Sequence, residues 1–274
     1  MPTDEHIELP RLSGWALVLG ASSGFGAEAC LSFARAGMNI VGVHLDRRLS
    51  AENARRLVSE IESLGREAWF FNVNAADPAR RAMVLADVQR RFQERGADER
   101  INVLLHSLAF GALKPFVHPE PESRIGAAQL EMTIDVMANS LVYWTQGILE
   151  ADMFGKYSRI FAMTSTGAGI SWQSYGAVSA AKAALEAHIR QLSLELSPRG
   201  ITANAICAGV TDTPASRKIP GYDGMIESAV RRNPSGRLTQ PQDVARALVA
   251  LALPCTYWMT GNVICIDGGE AHSG

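Results

Sequence analysis

The chain has 274 residues, of which 47% are hydrophobic and 20% are charged, and its formal net charge is −2. This composition supplies enough apolar material for a large buried core, and the near-neutral charge excludes a general electrostatic affinity for nucleic acid or for an acidic membrane surface. The N-terminal segment is too polar for a secretion signal, and no apolar run is long enough to span a membrane. We therefore expect a cytoplasmic, soluble protein. Its cysteines have no CxxC or metal-ligand spacing, so free thiols and no metal are predicted for Cys30, Cys207, Cys255 and Cys265.

Short apolar runs typical of strands alternate with segments of helical periodicity along the chain. Strands are predicted over residues 16–19, 40–45, 68–73, 103–107, 160–164, 202–207 and 263–266, and helices over 27–36, 51–64, 78–95, 127–153, 175–197 and 240–252. This alternation predicts an α/β fold with a doubly wound parallel sheet covered by helices on both faces. No linker or repeat divides the chain, so residues 1–274 are predicted to form a single domain.

One long stretch, residues 211–237, is rich in proline and glycine and has no clear helical or strand periodicity. Long ordered loops in compact domains are often lids or binding loops, so a substrate lid is predicted here. The alternative is an ordinary surface excursion.

A glycine-rich segment, Gly-Ala-Ser-Ser-Gly-Phe-Gly, occupies residues 20–26 between the first predicted strand and the first predicted helix. Gly20 can form the tight turn, Gly24 lets the backbone approach a phosphate, and Gly26 allows close packing of helix on strand. The free amides and the positive dipole end at the start of the helix attract an anion. Because the strand and the helix are both in place, the segment predicts a nucleotide pyrophosphate site.

A second candidate site lies between residues 160 and 213. Ser165 ends a predicted strand, Tyr175 opens a predicted helix, and Lys182 follows seven residues later. This spacing is nearly two helical turns, so Tyr175 and Lys182 project from one face, about 10 Å apart in rise. A nearby ammonium group would lower the pKa of the tyrosine towards the range useful for proton donation. The alternative is a surface tyrosine and an exposed lysine that share a helix.

Together these segments resemble the short-chain dehydrogenase/reductase family. The resemblance rests on the glycine loop, Ser165, the Tyr175/Lys182 helix, the sequence CAGVTDT at 207–213 and TGNVICIDGG at 260–269, and it covers nearly the whole chain. It implies a single Rossmann-type domain with a parallel sheet of about seven strands, a nicotinamide cofactor and a homotetramer.

Three departures from the common family pattern resemble the enoyl-acyl-carrier-protein (enoyl-ACP) reductase branch. Most members have Tyr-x-x-x-Lys, whereas Val178 stands at that tyrosine position and Tyr175 gives Tyr-x6-Lys. Residues 105–110, Leu-His-Ser-Leu-Ala-Phe, have the form found in the same branch. Met137 stands where carbonyl-reducing members keep an asparagine for a proton-relay water.

The resemblance therefore implies an NAD(P)H-dependent oxidoreductase that reduces the C=C bond of a trans-2-enoyl thioester. The substrate would be an acyl thioester on coenzyme A or on acyl carrier protein, with no nucleic acid or membrane partner. The first alternative is a short-chain carbonyl or 3-ketoacyl reductase, or an alcohol dehydrogenase. The second is a dinucleotide-binding protein without catalytic activity.

The catalytic roles that the resemblance implies fall on three residues. Tyr175 would stabilise the enolate, and Lys182 would hold the hydroxyls of the nicotinamide ribose while supplying positive charge. Ser165 aligns with the catalytic serine of the family, where many enoyl reductases have a second tyrosine. The closest resemblance is therefore to the NADPH-dependent sub-branch that retains the serine.

The resemblance also implies a set of cofactor-binding positions. The phosphate loop comprises Gly20, Ser22, Ser23, Gly24, Phe25 and Gly26; Asn74 and Ala75 lie at the adenine, Ser107, Leu108 and Ala109 at the ribose, and Val210, Thr211 and Thr213 at the carboxamide and pyrophosphate.

The choice between the two dinucleotides depends on the residues after the second predicted strand. Asp46 has the spacing of an acid that binds a ribose 2′-hydroxyl, but alignment from Gly37 places His44 at that position. Arg47 and Arg48 could instead bind a 2′-phosphate, and a solvated charged turn is the alternative. We favour NADPH, with NADH as the alternative.

Several other residues are expected to serve packing. His106, at a predicted strand end, is expected to be a packed core histidine rather than a site residue. Met132, Met137, Trp144 and Ile148 are expected in contacts between helices, including those of the family's oligomer interface.

Overall fold

The computed structural model describes residues 11–46, 51–96 and 99–273. Within them, seven parallel strands form one sheet in the order β3-β2-β1-β4-β5-β6-β7. Their bounds are β1 Trp15–Leu19, β2 Asn39–His44, β3 Ala68–Asn72, β4 Ile101–His106, β5 Phe154–Ser165, β6 Thr202–Ala208 and β7 Val263–Ile266. The predicted Rossmann-type doubly wound sheet is confirmed.

Helices cover both faces of this sheet. Their bounds are α1 Gly24–Arg35, α2 Ala51–Ser63, α3 Pro78–Glu94, α4 Ala127–Ile134, α5 Ser140–Glu150, α6 Gly176–Leu196, α7 Tyr222–Arg232 and α8 Pro241–Leu251. Apolar side chains of α1, α2 and α8 form the core on one face, and those of α3, α5 and α6 form it on the other. The strands read as continuous apolar runs because alternate residues are buried on opposite faces. None of the helices in the described ranges combines the length and apolar character that a membrane span needs.

The strand order reverses between β1 and β4, which places a crevice at the carboxyl ends of these two strands. Leu19 at the end of β1 is in register with His106 at the end of β4. The N–H of Ser107 then donates to the carbonyl of Leu19 at 2.9 Å. The segments that follow β1 and β4 therefore start side by side, at the position where ligands bind in open α/β sheets.

The single helix predicted over 127–153 is interrupted. A π turn at Asp135–Asn139 separates α4 from α5. The N–H of Ser140 donates to the carbonyl of Asp135, five residues back, and the Ser140 hydroxyl donates to the carbonyl of Val136 at 2.8 Å. Apolar periodicity cannot reveal such a turn, because the pattern of buried residues continues through it. Turns of this kind are rare and are frequent at functional sites.

The stretch 211–237 is not the irregular loop that its prolines and glycines predicted, because it contains α7. The helix begins after Gly221, which has a left-handed φ of 77°, and it ends before Asn233. Pro220, Gly221 and Pro234 therefore flank the helix, and Gly224 lies inside it. Asp212 anchors the start of this segment by accepting bonds from the Arg217 guanidinium at 2.7 and 2.8 Å and from the Tyr222 hydroxyl at 2.6 Å.

Candidate active site

The glycine loop has a backbone that only glycine can form. Gly20 adopts a φ of 88°, and a Cβ on it would lie 2.4 Å from the carbonyl oxygen of Ser107. A Cβ on Gly26 would lie 2.1 Å from the carbonyl oxygen of Gly20. The backbone at the end of β1 therefore lies directly against the backbone that follows β4 and against the backbone in the first turn of α1.

The amino end of α1 lies at the glycine loop and has no side-chain cap among the described residues. Its N-cap residue Ser23 is extended and makes no side-chain capping bond within the described chain. The first amides of a helix without such a cap need another partner, and an anion can supply one. A groove of about 380 Å³ beside the loop is lined mostly by residues of α1, α2 and the start of α8, among them Glu28 and Glu60, so it does not mark a pyrophosphate position. The glycine backbone and the start of α1, which has no side-chain cap, are the features that fit a pyrophosphate.

The end of β2 holds a compact polar pair. His44 is buried, and its Nδ1 lies 2.9 Å from Oδ2 of Asp46. Burial lowers the pKa of His44, and the neighbouring Asp46 carboxylate opposes that shift. The Asp46 side chain is only 11% exposed, so little of its carboxylate faces a ligand. Arg47 and Arg48 lie outside the described residues.

The predicted adenine and ribose residues lie at the same end of the sheet. Asn74 accepts a bond from the N–H of Ala76 at 3.0 Å, and the carbonyl of Ala75 accepts one from the indole of Trp144 at 2.9 Å. Both residues therefore hold the turn that follows β3. Residues 107–109 follow β4 directly, beside the glycine loop.

The segment after β6 approaches the glycine loop from the other side. A Cβ on Gly24 would lie 3.5 Å from the methyl group of Thr213. The Thr211 hydroxyl donates to the carbonyl of Gly209 at 3.0 Å, and the N–H of Val210 donates to Oε2 of Glu270 at 3.0 Å. The backbone amide of Val210 is therefore used within the protein, and the contact of Val210 with the carboxamide stays a prediction.

Glu270 is a site-building residue that the sequence reasoning missed. It is 3% exposed and holds the loop after β6 through Val210. Burial raises its pKa, and the bond from Val210 and the charge of Arg232 oppose that rise. In the sequence, only its place directly after Gly268 and Gly269 distinguishes Glu270, and that place does not reveal its contact with Val210.

Tyr175 and Ser165 meet at the start of α6. Tyr175 is the N-cap residue of the helix, and its N–H donates to the carbonyl of Trp172 at 3.1 Å. Gly167 makes the contact possible, because a Cβ there would lie 2.6 Å from the Tyr175 ring and 3.2 Å from Oγ of Ser165. Oγ of Ser165 is buried and makes no hydrogen bond of normal geometry with the described residues.

The predicted fall in the pKa of Tyr175 is wrong. Burial raises this pKa, and the nearby Ser165 hydroxyl opposes the rise without reversing it. Sequence spacing could not reveal the desolvation that dominates. Tyr175 therefore keeps its proton at neutral pH and faces the site as a hydrogen-bond donor.

Lys182 is buried beneath the first turns of α6. Its Nζ donates to the carbonyl of Met163 on β5 at 2.6 Å. Burial lowers the pKa of Lys182 to about 8, and the charge of Glu186 opposes this shift. Glu186 is itself fixed, because its Oε1 accepts a bond from the Thr164 hydroxyl at 2.7 Å.

Apolar side chains fill the face of α6 between Tyr175 and Lys182. Val178, which stands where most of the resembled family has its tyrosine, is buried with Ala181 and with Met137 of the π turn. The structure therefore brings Ser165, Tyr175 and Lys182 to one end of the sheet, with an apolar patch on the helix face between the last two. No group of residues in the described ranges could hold a metal ion.

Known proteins match this chain over nearly its full length. The family model described as "Enoyl-(Acyl carrier protein) reductase" matches residues 20–270. A relative from Thauera aromatica, "(2S)-[(R)-hydroxy(phenyl)methyl]succinyl-CoA dehydrogenase subunit BbsD", is 28% identical, with 93% of this chain and 96% of that protein aligned.

Two solved structures have the same fold. The enoyl-[acyl-carrier-protein] reductase (NADH) from Aquifex aeolicus VF5 matches with a TM-score of 0.79 at 21% identity, covering 95% of this chain and 97% of that one. A short chain dehydrogenase from Burkholderia cenocepacia J2315, solved in complex with NADP, matches with a TM-score of 0.78 at 25% identity, covering 93% of this chain and 97% of that one.

The names of these proteins include a dehydrogenase and an enoyl reductase, and the two solved structures share the fold of this chain. The matched residues, 20–270, include the glycine loop, the start of α6 and the segment after β6. The chain therefore belongs to the short-chain dehydrogenase/reductase family of NAD(P)-dependent oxidoreductases.

Proposed function

We propose that this protein reduces the C=C bond of a trans-2-enoyl thioester with NADPH. The observation that carries the proposal is the position of the proton donor. Tyr175 lies at the N-cap of α6, three residues before Val178, and the Val178 position is filled by a buried apolar side chain.

The displacement of the tyrosine suits the charge that develops in enoyl reduction. When hydride reaches a carbonyl carbon, negative charge forms on the oxygen bonded to that carbon. When hydride reaches the β-carbon of an enoyl thioester, the charge forms on an oxygen two bonds further away. Three helical residues correspond to a rise of about 4.5 Å. Tyr175 is therefore displaced along the helix from position 178, and a donor to a more distant oxygen needs such a displacement.

The chain's own residues have distinct tasks in this reaction. A bound nicotinamide dinucleotide supplies the hydride. Gly20, Gly24 and Gly26 shape the backbone that holds its phosphates. Tyr175 holds a proton on its hydroxyl and transfers it to the enolate oxygen that forms when hydride reaches the β-carbon. The resulting enol becomes the saturated thioester by taking up a proton from water at the α-carbon and releasing the proton on oxygen, and solvent reprotonates Tyr175. The Lys182 ammonium supplies positive charge nearby and donors for ribose hydroxyls.

Large apolar side chains beside Tyr175 support an acyl substrate. The ring of Phe116 packs directly on Gly176, where a Cβ would lie 2.6 Å from it. Trp172 reaches the lid segment, because its indole donates to the carbonyl of Pro220 at 2.9 Å. Phe110, Phe116 and Trp172 all remain exposed. An apolar acyl chain would cover these surfaces, and the lid with α7 would set its length.

The preference for NADPH rests on the end of β2. His44 occupies the place of the usual acid, and the Asp46 carboxylate is held by His44 rather than directed outward. A site without a free acid accepts a 2′-phosphate more readily, and Arg47 and Arg48 would supply its charge. The partner proposals are an acyl thioester on acyl carrier protein or coenzyme A and assembly as a homotetramer, which light scattering tests.

Cofactor oxidation with matched thioesters tests the function. Crotonyl-CoA and a longer trans-2-enoyl-CoA are each mixed with NADPH or NADH, and acetoacetyl-CoA serves as the carbonyl control. We expect oxidation of NADPH with the enoyl thioesters and a saturated acyl product by mass spectrometry. Oxidation with acetoacetyl-CoA alone would overturn the proposal.

A carbonyl reductase or alcohol dehydrogenase is the second candidate, and one contact favours it. Ser165 lies against the Tyr175 ring, so the pair could hold one carbonyl oxygen. The Thauera aromatica relative is a dehydrogenase named for a hydroxylated CoA thioester. The Ser165→Ala variant separates the two functions, because carbonyl reduction should fall about 100-fold without the serine and enoyl reduction should change far less.

A further inference from the structure

Beneath α6 lies a histidine that the proposed reaction leaves without a role. His106 ends β4 and is 0% exposed. Its Nε2 lies 2.8 Å from Oγ of Ser140, and the Ser140 hydroxyl donates to the carbonyl of Val136 at 2.8 Å. Because the serine proton is committed to Val136, Oγ of Ser140 accepts, and Nε2 of His106 must carry the hydrogen. The other ring nitrogen, Nδ1, is then an unprotonated acceptor.

This acceptor has no partner among the described residues, although it is fully buried. Buried polar atoms in native proteins are nearly always hydrogen-bonded, to protein or to ordered water. The expectation that His106 is simply a packed core histidine therefore accounts for Nε2 but not for Nδ1.

The Lys182 ammonium is the candidate donor for Nδ1 of His106. His106 is in register with Ala162 of β5, and the next residue, Met163, supplies the carbonyl that accepts from Lys182 at 2.6 Å. Residues in register on neighbouring strands point to the same face, so the His106 ring lies on the face of the sheet that carries Ala162 and α6, and the Lys182 ammonium is close enough to lower the pKa of His106. An ammonium group has three N–H donors, and Met163 uses one of them.

We infer that His106 is a positioning residue for Lys182, whose ammonium donates to Nδ1 of His106 through one ordered water. The inference rests on the proposal that Lys182 acts in an NAD(P)H-dependent reduction, whichever bond is reduced. The hydrogen-bond acceptor for this water would come from β4, because the residue that the π turn places against α6 is Met137, whose side chain is apolar.

Charge balance agrees with this role. Burial and the positive charge of Lys182 lower the pKa of His106 to about 3, and the nearby backbone carbonyls of His106 and Val136 oppose this shift without reversing it. The ring is therefore neutral and can accept. From α6, Glu186 faces Lys182 and favours its charged form. From β6, Cys207 lies beside Glu186, and its pKa is raised to about 12 by burial and by Cys265, so it stays neutral.

Removal of the acceptor should lower the pKa of Lys182 further, because the buried ammonium loses a hydrogen-bonded water. Asparagine places an amide oxygen near the position of Nδ1, whereas glutamine reaches the position of Nε2. We therefore expect His106→Phe and His106→Gln to shift the alkaline limb of the kcat/KM profile down by about one pH unit and His106→Asn to restore it. At pH 8 a one-unit shift corresponds to about a five-fold loss of kcat/KM.

The control is His188→Phe, which makes the same substitution on α6. Nε2 of His188 lies 3.0 Å from Oδ1 of Asn139, so this variant also removes a bond to the π turn but leaves Lys182 untouched. Its pH profile should match the parent. A shift as large as that of His106→Phe would overturn the inference, since any loss of packing at the π turn would then suffice.

A titration of Lys182 by NMR keeps the test independent of turnover. In protein with labelled lysine and histidine, His106 should show a protonated Nε2 and an unprotonated Nδ1, and the Lys182 pKa should be lower in His106→Phe than in the parent or in His106→Asn. These results can hold even if no enoyl thioester is reduced. An unchanged Lys182 pKa in His106→Phe, or a proton on Nδ1, would overturn the inference.

Discussion

The glycine loop after β1 and the buried polar group beneath α6 lie at the same end of the sheet, yet they are built from different parts of the chain. The loop is backbone packed on backbone, and its shape depends on the missing Cβ of Gly20 and Gly26. The group beneath α6 consists of side chains, Lys182 and His106, whose protonation depends on how deeply each is buried. A site of the first kind can be recognised in a sequence, whereas the state of the second kind requires the structure.

The largest expected effect comes from a side chain at Gly26. Gly26→Ala would place a methyl group 2.1 Å from the carbonyl of Gly20, and both are fixed backbone positions. We expect the free energy of unfolding to fall by about 3 kcal/mol or more and dinucleotide binding to be lost. Denaturant unfolding and calorimetric titration with NADPH measure the two effects.

The matched control is Gly224→Ala in α7. Gly224 is exposed, and among the described residues no atom beyond its chain neighbours and its own helix backbone lies within 4 Å of the Cβ position. This variant should be unchanged or more stable by about 0.5–1 kcal/mol, because alanine favours a helix more than glycine does. If both variants were equally destabilised, the backbone contact at Gly26 would not be the cause.

Tyr175→Phe should produce the next largest effect. The variant removes the only hydroxyl that the proposed reaction uses as a donor and leaves the ring against Gly167. We expect kcat to fall by about 100-fold or more, with an unchanged dissociation constant for the dinucleotide. Steady-state kinetics and a binding titration measure this split. Retention of more than about a tenth of kcat would mean that another group donates the proton.

Lys182→Met should raise the free energy of unfolding and lower the activity. Because burial lowers the pKa of Lys182 from 10.5 to about 8, the unfolded chain binds the extra proton between these pH values. Parent stability should therefore rise with pH over this range, and the full cost of burying the ammonium applies below pH 8. At pH 7 the free energy of unfolding of the methionine variant should be about 3 kcal/mol higher than that of the parent, and the variant should lose activity.

Denaturant unfolding of parent and variant at pH 7 and pH 10 measures this prediction. The difference between them should shrink at the higher pH, because Lys182 is then neutral in the folded protein. A methionine variant that is less stable at pH 7 would show that the ammonium stabilises the fold.

The smallest effect is expected at Asp46. Its carboxylate is held by His44 and is 11% exposed, so it contributes little to the binding of a ribose hydroxyl. Asp46→Ala should change the ratio of KM for NADH to KM for NADPH by less than about three-fold. Loss of NADH use by ten-fold or more would show that Asp46 turns outward to bind the ribose.

The sheet and most helices follow from the alternation of apolar runs, because two-sided burial makes the strands of a parallel sheet continuously apolar. Three features do not follow. The π turn at 135–139 leaves the apolar periodicity intact. The helix α7 lies in a stretch whose prolines and glycines predict a loop. The pKa of Tyr175 rises because desolvation outweighs nearby groups, and desolvation is a property of the packed chain.

The site residues divide in the same way. Gly20, Gly24 and Gly26 could be assigned from the sequence, because glycine is required wherever backbones touch. Glu270 could not, because its contact with the N–H of Val210 joins positions 60 residues apart. Long-range contacts of this kind leave no periodic signal in the chain.

The most direct test of the enoyl reductase proposal is a crystal structure of the protein with NADP and a trans-2-enoyl thioester. We predict that the Tyr175 hydroxyl lies within hydrogen-bond distance of the thioester carbonyl oxygen, with the β-carbon facing the nicotinamide and the acyl chain against Phe116 and Trp172. A structure in which Ser165 and Tyr175 together hold a 3-keto oxygen, while the enoyl thioester binds away from Tyr175, would contradict it.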